Sequence, residues 1–123
     1  MLKFYTLIFG ILSSSVLAFS DPQLAYSLQK KGEAVIIDIR EANELNQGMI
    51  KDAKWFPLSR LETNQNWPKM FKKLVQKKKV FLYCRSGRRV KKFQSALSKE
   101  KLPEGINLGG LAELSQVLPT IRP

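Results

Sequence analysis

Between residues 79 and 97 the sequence changes from a strand pattern to a helix pattern across a short polar turn. Residues 80–83 are all apolar and rich in β-formers, which predicts a buried strand. After the turn, apolar residues recur at helical spacing, at Val90, Phe93 and Leu97. A strand that leads directly into a helix indicates an α/β unit, and the only cysteine of the chain, Cys84, lies where the two meet.

The position of Cys84 has chemical consequences. The first backbone N–H groups of a helix have no partners within it, and the helix dipole places partial positive charge there, so an anion is stabilised. Arg85, Arg88 and Arg89 add positive charge to the same turn. This setting favours the thiolate, the nucleophilic form of cysteine, and we expect its sulfur to be accessible from solvent. The alternative is an inert buried thiol, but that would not account for three arginines, the side chain suited to oxyanions.

Apolar stretches elsewhere extend the α/β pattern. Residues 34–39 (AVIIDI) form a nearly continuous apolar run, which is typical of a strand covered on both faces in a parallel sheet. Shorter strands are predicted at residues 53–56 and 106–108. Helices are predicted from Asp21-Pro22 to Gly32, at residues 41–47, at residues 67–76 with Met70, Phe71 and Leu74 inward, and at residues 111–117. We therefore predict an α/β fold with a mainly parallel central sheet of about four to five short strands and helices on both faces.

Residues 1–20 have the pattern of a cleavable signal peptide. Lys3 precedes an apolar segment, residues 4–12, that is too short to span a bilayer, and small residues permit cleavage after Ala18 or Ser20. An uncleaved membrane anchor is the alternative. We therefore expect an exported protein, periplasmic or secreted, with no stable membrane insertion. The predicted division is a signal peptide at residues 1–20, a folded domain at residues 21–118 and a C-terminal tail at residues 119–123.

Composition excludes several kinds of site. The chain has no histidine and one cysteine, so histidine-based catalysis, histidine-ligated metals, internal disulfides and cysteine zinc clusters are excluded. The 21 Lys and Arg outnumber the 10 Asp and Glu, and the basic residues concentrate between Lys69 and Lys101. This positive charge either steers anionic substrates or forms a solvated face, and contact with an anionic membrane surface stays open. Nucleic-acid binding is not expected, because no groove motif with interleaved aromatics is present.

The turn CRSGRR after an apolar strand resembles the active-site loop of the rhodanese (thiosulfate sulfurtransferase) family. Further similarity to the family's motifs lies at Asp38-Ile39-Arg40, Glu44, Gly48, Ile50, Ala53 and Pro57, and at Asn107-Leu108-Gly109-Gly110. The three blocks span residues 25–114, so the resemblance identifies residues 21–118 as a rhodanese-like domain. The export signal, small size and Gly-Gly-Leu ending look most like periplasmic single-domain rhodaneses of the phage-shock-protein type. Met49 and Leu114 depart from the family pattern, which usually has His and often has Trp there.

The resemblance implies the chemistry and its residues. Cys84 would be the catalytic residue and would carry a persulfide, surrounded by the backbone N–H groups of residues 85–89. Its thiolate would attack the sulfane sulfur of thiosulfate or a similar anionic donor, and cyanide or a thiol would accept the sulfur in a second step. No cofactor or metal is implied. The substrate-binding residues would be Arg85, Ser86, Gly87, Arg88 and Arg89.

Other interpretations remain open at this stage. A non-catalytic persulfide carrier or sulfur-relay module would keep Cys84 but turn over free thiosulfate poorly. A tyrosine-phosphatase turn is disfavoured, because that turn needs an arginine six residues after the cysteine, where this chain has Val90. Asp38 and Arg40 either face the mouth of the site or form a structural ion pair near it. The ion pair is favoured, because buried charges are normally paired.

Overall fold

A four-stranded parallel sheet runs through residues 21–123, the part of the chain that the computed structural model describes. Across the sheet the strands are β3 (Lys54–Trp55), β1 (Ala34–Asp38), β4 (Lys79–Cys84) and β5 (Ile106–Gly110). All three pairings are parallel, and every residue of β1 is buried, as expected for a strand covered on both faces. The predicted α/β fold with a parallel central sheet is therefore confirmed. The predicted signal peptide lies outside the described residues.

Helices cover both faces of this sheet. Trp67–Val75 (α3) and Arg88–Lys99 (α4) pack on one face, whereas Pro22–Lys30 (α1) and the short Leu111–Leu114 (α5) pack on the other. A single turn, Arg60–Thr63 (α2), and a 3-10 helix, Ala42–Gln47, complete the helical elements. The α3–α4 face is the more aromatic, with the rings of Phe56, Phe71 and Phe93 in mutual contact.

Local sequence explains where α1 and α4 form. Asp21 caps α1, because its carboxylate accepts the backbone N–H groups of Gln23 and Leu24 at 3.0 and 3.3 Å, and a proline follows at the first helical position. In α4 the residues that recur at helical spacing are the buried ones: Val90, Phe93 and Leu97. The helical periodicity in the sequence therefore marks the face that packs against the sheet.

The structure corrects three details of the sequence prediction. Residues 119–123 are not a free tail, because Thr120–Ile121 (β6) pairs antiparallel with Met49–Ile50 (β2) and forms a second small sheet. The last helix ends at Leu114 rather than at residue 117. Met70 is exposed rather than inward, because the buried stripe of α3 runs through Trp67, Phe71 and Val75. Within residues 21–123 no helix is long and apolar enough to cross a membrane.

Candidate active site

Cys84 is the last residue of β4 and lies at the carboxyl edge of the sheet, where ligands bind in open parallel sheets. The backbone N–H of Gly87 points back at it and donates to its Sγ at 3.0 Å. Gly87 has a φ of +88°, in the left-handed region, and is the N-cap of α4. A side chain at this position would be strained and would press within 3.1 Å of the Gly109 Cα. Glycine is therefore needed to turn an amide toward the sulfur.

The sulfur is closed off from solvent in this structure. Cys84 has no exposed surface, so the expectation of an accessible thiol is wrong for the conformation described. Cys84 belongs to the buried cluster on the α3–α4 face of the sheet, and on its other flank the irregular pairing of β4 with β5 places Gly110 opposite it. A Cβ on Gly110 would overlap the carbonyl oxygen of Arg85 and lie 3.0 Å from the Ser86 Cα. The backbone of the loop after Cys84 therefore rests directly on the backbone of the Gly-Gly turn.

Asn107 joins these two backbones by hydrogen bonds. Its Nδ2 donates to the Gly87 carbonyl oxygen at 3.0 Å, and its Oδ1 accepts the Gly109 N–H at 2.8 Å. The side chain thus ties the left-handed residue of the loop to the turn that covers it. In the sequence Asn107 is part of a motif, without a predicted role. The signal that could have revealed its role is an amide side chain two residues before a pair of glycines.

The three arginines of the loop have different surroundings. Arg85 and Arg88 are exposed, and within residues 21–123 neither forms an ion pair with a carboxylate. Arg89 instead forms two hydrogen bonds with Glu44 of the 3-10 helix, Nη1 to Oε1 at 2.7 Å and Nη2 to Oε2 at 2.8 Å. The Arg89 guanidinium holds the pKa of the Glu44 carboxyl well below its usual range, at about 2. Arg89 therefore anchors the start of α4, and Arg85 and Arg88 are the arginines left to meet an anion.

Two cavities flank the loop, one on each side, and each is bordered by one of these exposed arginines. The cavity next to Arg88 has a volume of about 500 Å³, and the one next to Arg85 has a volume of about 310 Å³. The first is lined by Ser86, Gly87, Arg88, Lys91, Asn107, Leu108 and Gly109; the second is lined by Arg40, Gln47, Arg85, Leu111, Ala112, Ser115 and Thr120. Four of the five residues predicted to bind substrate therefore border one of these two cavities, and Arg89 lines neither of the two.

These features match a known family. The model of the family described as "Rhodanese-like domain" matches residues 21–116, which is most of the chain. The chain belongs to the rhodanese-like domain family. The match includes residues 38–57, the Cys84 loop and the Gly-Gly turn, which are the three blocks that carried the resemblance in the sequence.

Two solved structures agree with this assignment, and curated proteins of another name match part of the chain. The human single-domain sulfurtransferase TSTD1 is 27% identical, with a TM-score of 0.61, over 81% of this chain and 96% of that one. A rhodanese-related protein from Thermoplasma volcanium shares the fold at 24% identity and a TM-score of 0.60, over 80% of this chain and 95% of that one. The tRNA uridine(34) hydroxylase of Bacillus cytotoxicus is 27% identical over 75% of this chain, which spans only 28% of that protein's length.

A buried ion pair lies near the carboxyl edge of the sheet in this rhodanese-like domain. Asp38 and Arg40 approach to 2.8 Å and are almost completely buried, and Arg40 also donates to the Gly48 carbonyl oxygen. Tyr83 donates to Asp38 at 2.7 Å and accepts the Ile50 N–H at 3.0 Å. Burial and the Asp38 carboxylate raise the pKa of Tyr83, so the phenol stays neutral and can donate. This network supports the end of β1 and does not contact the sulfur.

The two departures from the family pattern both lie in buried positions. Met49 is 6% exposed in β2, and Leu114 is 2% exposed at the end of α5. Leu114 packs in the core on the α1 face of the sheet. Met49 and Leu114, which replace the family's usual residues, are therefore both buried in the fold.

Proposed function

We propose that this protein is a sulfurtransferase that carries a sulfane sulfur as a persulfide on Cys84. The observation that carries the proposal is the hydrogen bond from the Gly87 N–H to Sγ, at the end of a parallel strand and the entrance of α4. A donor placed there stabilises negative charge on the sulfur. Similarity to TSTD1, which is named a single-domain sulfurtransferase, supports the same activity class.

The proposed reaction is a double displacement. The Cys84 thiolate attacks the outer sulfur of thiosulfate, a new S–S bond forms, the S–S bond of thiosulfate breaks, and sulfite leaves with the electron pair. A thiolate or cyanide then attacks the outer persulfide sulfur, which yields the acceptor's persulfide or thiocyanate and restores the thiolate. Arg85 and Arg88 would attract the dianionic donor and offset the charge of the departing sulfite, because both are exposed beside the loop.

The closed loop supports a second candidate, a persulfide carrier that exchanges sulfur with a partner protein. Cys84 has no exposed surface, so a sulfur donor can reach its Sγ only if the loop or the Gly-Gly turn moves. Such opening is disfavoured for a small free anion that offers little binding energy, whereas a protein partner can drive it. A steady-state assay with thiosulfate and cyanide separates the two. The enzyme turns over repeatedly, and the carrier accepts one sulfur and passes it on only to a partner.

We propose in addition that the protein works outside the cytoplasm, as the phage-shock-protein type of rhodanese does. The support is the signal-like pattern of residues 1–20. Expression of the full chain with a C-terminal tag, followed by cell fractionation, tests this. Shortened protein in the periplasmic fraction is expected, and full-length protein confined to the cytoplasm contradicts it.

The chemical proposal is tested by intact-protein mass spectrometry after exposure to thiosulfate. Because the chain has one cysteine, an added sulfur that thiols remove is assigned to Cys84 without peptide mapping. We expect one added sulfur, its loss upon cyanide treatment with formation of thiocyanate, and neither event in Cys84→Ser.

A relocated thiol provides the matched control. The double variant Cys84→Ser, Ser86→Cys keeps one thiol per chain in the same loop, at an exposed position. If the relocated thiol transfers sulfur as fast as Cys84 does, the Gly87 amide contributes nothing and the proposed basis of the activity is wrong. Sulfur transfer retained by Cys84→Ser alone contradicts the whole proposal.

A further inference from the structure

A groove that the sulfur chemistry does not use lies beside α3. It has a volume of about 440 Å³, within the range of ligand-binding clefts. We call it the α3 groove; its lining residues are Trp55, Phe56, Arg60, Met70, Lys73 and Leu74. Trp55 and Met70 are each 37% exposed, which makes them two of the few large apolar side chains that the described part of the chain shows to solvent. The groove therefore combines an apolar wall with cationic groups.

The two charged residues that line the α3 groove, Arg60 and Lys73, are both cations. No Asp or Glu occurs between residues 63 and 99, whereas lysines occupy positions 69, 72, 73, 77, 78 and 79. The two cations of the groove, Arg60 and Lys73, form no ion pair within residues 21–123. Arg60 is instead stacked over aromatic rings, 4.8 Å from the centroid of Phe56 and 5.7 Å from that of Trp55. A guanidinium held in this way keeps its donors free for an incoming carboxylate.

We propose that the α3 groove docks an acidic segment of a partner protein that presents one apolar side chain to Trp55 and Met70 and carboxylates to Arg60 and Lys73. Charge complementarity carries the proposal, because an acidic partner meets only cations here and an apolar side chain finds an apolar wall. The aromatic and arginine content of the groove is typical of residues that dominate binding energy in protein interfaces.

The geometry disfavours a membrane surface as the occupant. A tryptophan that anchors a protein in a membrane projects outward, with its ring in the lipid and its N–H at the interface. Here the Trp55 Nε1 donates to the Arg40 carbonyl oxygen at 2.8 Å, which holds the indole against the protein as one wall of a concave site. A peptide segment can enter such a site, and a flat lipid surface cannot.

The α3 groove lies at the same end of the sheet as Cys84. Trp55 is opposite Asp38 in the β3–β1 register, and Asp38 is opposite Tyr83 in the β1–β4 register. With neighbouring strands about 4.8 Å apart, Trp55 is about 10 Å from the strand that carries Cys84. A docked partner is therefore next to the sulfur loop, yet binding does not depend on the thiol and should be unchanged in Cys84→Ser. Failure of docking and failure of sulfur transfer are thereby separate results.

The test uses the full chain and a fluorescein-labelled peptide in which glutamates flank a single leucine. The chain has two tryptophans, so Trp67→Phe leaves Trp55 as the only tryptophan, and excitation at about 295 nm selects it over the tyrosines. We expect saturable binding by anisotropy together with a change in Trp55 emission, weakened by added salt. Lys73→Glu should weaken binding at least tenfold. Lys101→Glu, the same exposed charge change in the segment between α4 and β5 at the opposite edge of the sheet from β3, should weaken it less than twofold.

Matched probes decide the nature of the site. A peptide with glutamine in place of glutamate, and one with serine in place of leucine, should each bind at least tenfold more weakly than the parent peptide. Equal losses in Lys73→Glu and Lys101→Glu would show that the whole cationic surface attracts anions without a specific site, and would overturn the proposal. So would binding to phosphatidylglycerol vesicles with no binding of the acidic peptide, or equal affinity for the leucine and serine peptides.

Discussion

The ion pair between Glu44 and Arg89 makes the stability of the fold depend on acid in a specific pH range. The folded pKa of Glu44 is about 2, against an ordinary value of 4.5. A carboxyl group whose pKa is lower in the folded protein contributes its full stabilisation at pH values above its ordinary pKa. This stabilisation is lost as the pH falls from about 4.5 toward 2. The fall from 4.5 to about 2 corresponds to an upper bound of about 3 kcal/mol. The Glu44 and Arg89 side chains are 20% and 29% exposed, so screening by solvent reduces this to about 1–2 kcal/mol.

Glu44→Gln removes the charge and keeps the shape of the side chain. We expect its free energy of unfolding to lie about 1–2 kcal/mol below that of the wild type at pH 7, and the two to converge near pH 2. Urea unfolding followed by circular dichroism at a series of pH values between 7 and 2 measures the difference directly, because the other carboxyl groups are common to both proteins.

Glu104→Gln is the control for this experiment, because Glu104 is exposed and forms no ion pair among the described residues. Its free energy of unfolding should follow the wild-type curve at every pH. A gap between Glu44→Gln and the wild type that is as large at pH 2 as at pH 7 would refute the electrostatic explanation. So would the absence of any gap at pH 7.

Two further substitutions test the packing around the catalytic edge. Tyr83→Phe leaves the buried Ile50 N–H without its acceptor and should lower the free energy of unfolding by about 1–3 kcal/mol, measured by urea unfolding; a loss below about 0.5 kcal/mol would contradict the buried network. Gly110→Ala forces a methyl group against the Arg85 carbonyl oxygen, and should cost about 1–3 kcal/mol and speed the reaction of the cysteine with a chromogenic disulfide reagent. Gly109→Ala meets nothing within 4 Å, so it should cost only the backbone strain and leave the cysteine slow to react; equal reactivity in both variants would contradict the closure described here.

The sheet could be predicted from the sequence because its central strands are apolar on both faces. The run AVIIDI becomes the fully buried β1, and the helical spacing after Cys84 marks the buried face of α4. The small β2–β6 sheet could not be predicted. Each of its strands has only two residues, and residue 49 pairs with residue 121, so neither periodicity nor proximity in sequence reveals it.

The position of Cys84 at a helix entrance was predictable from the sequence, and the geometry around it less so. The turn that follows Cys84 identifies a helix entrance with cations, and the Gly87 amide lies where this argument places a donor. The partner of Arg89 is set by tertiary packing, because Glu44 lies 45 residues earlier in the chain. The burial of the sulfur depends on the tertiary packing of the α3–α4 face around Cys84, and the loop after it rests on Gly110, a residue with no side chain to indicate that contact.

The burial of Cys84 also determines which side reactions its thiol can undergo. A disulfide between two chains requires the two sulfur atoms to approach to about 2.05 Å, which no second copy can achieve while the sulfur has no exposed surface. The same cover keeps peroxides from a sulfur that they would otherwise oxidise to sulfenic and then sulfinic acid. A protein with one unpaired cysteine can therefore stay free of interchain disulfides and chemically intact under oxidising conditions for as long as the sulfur stays covered.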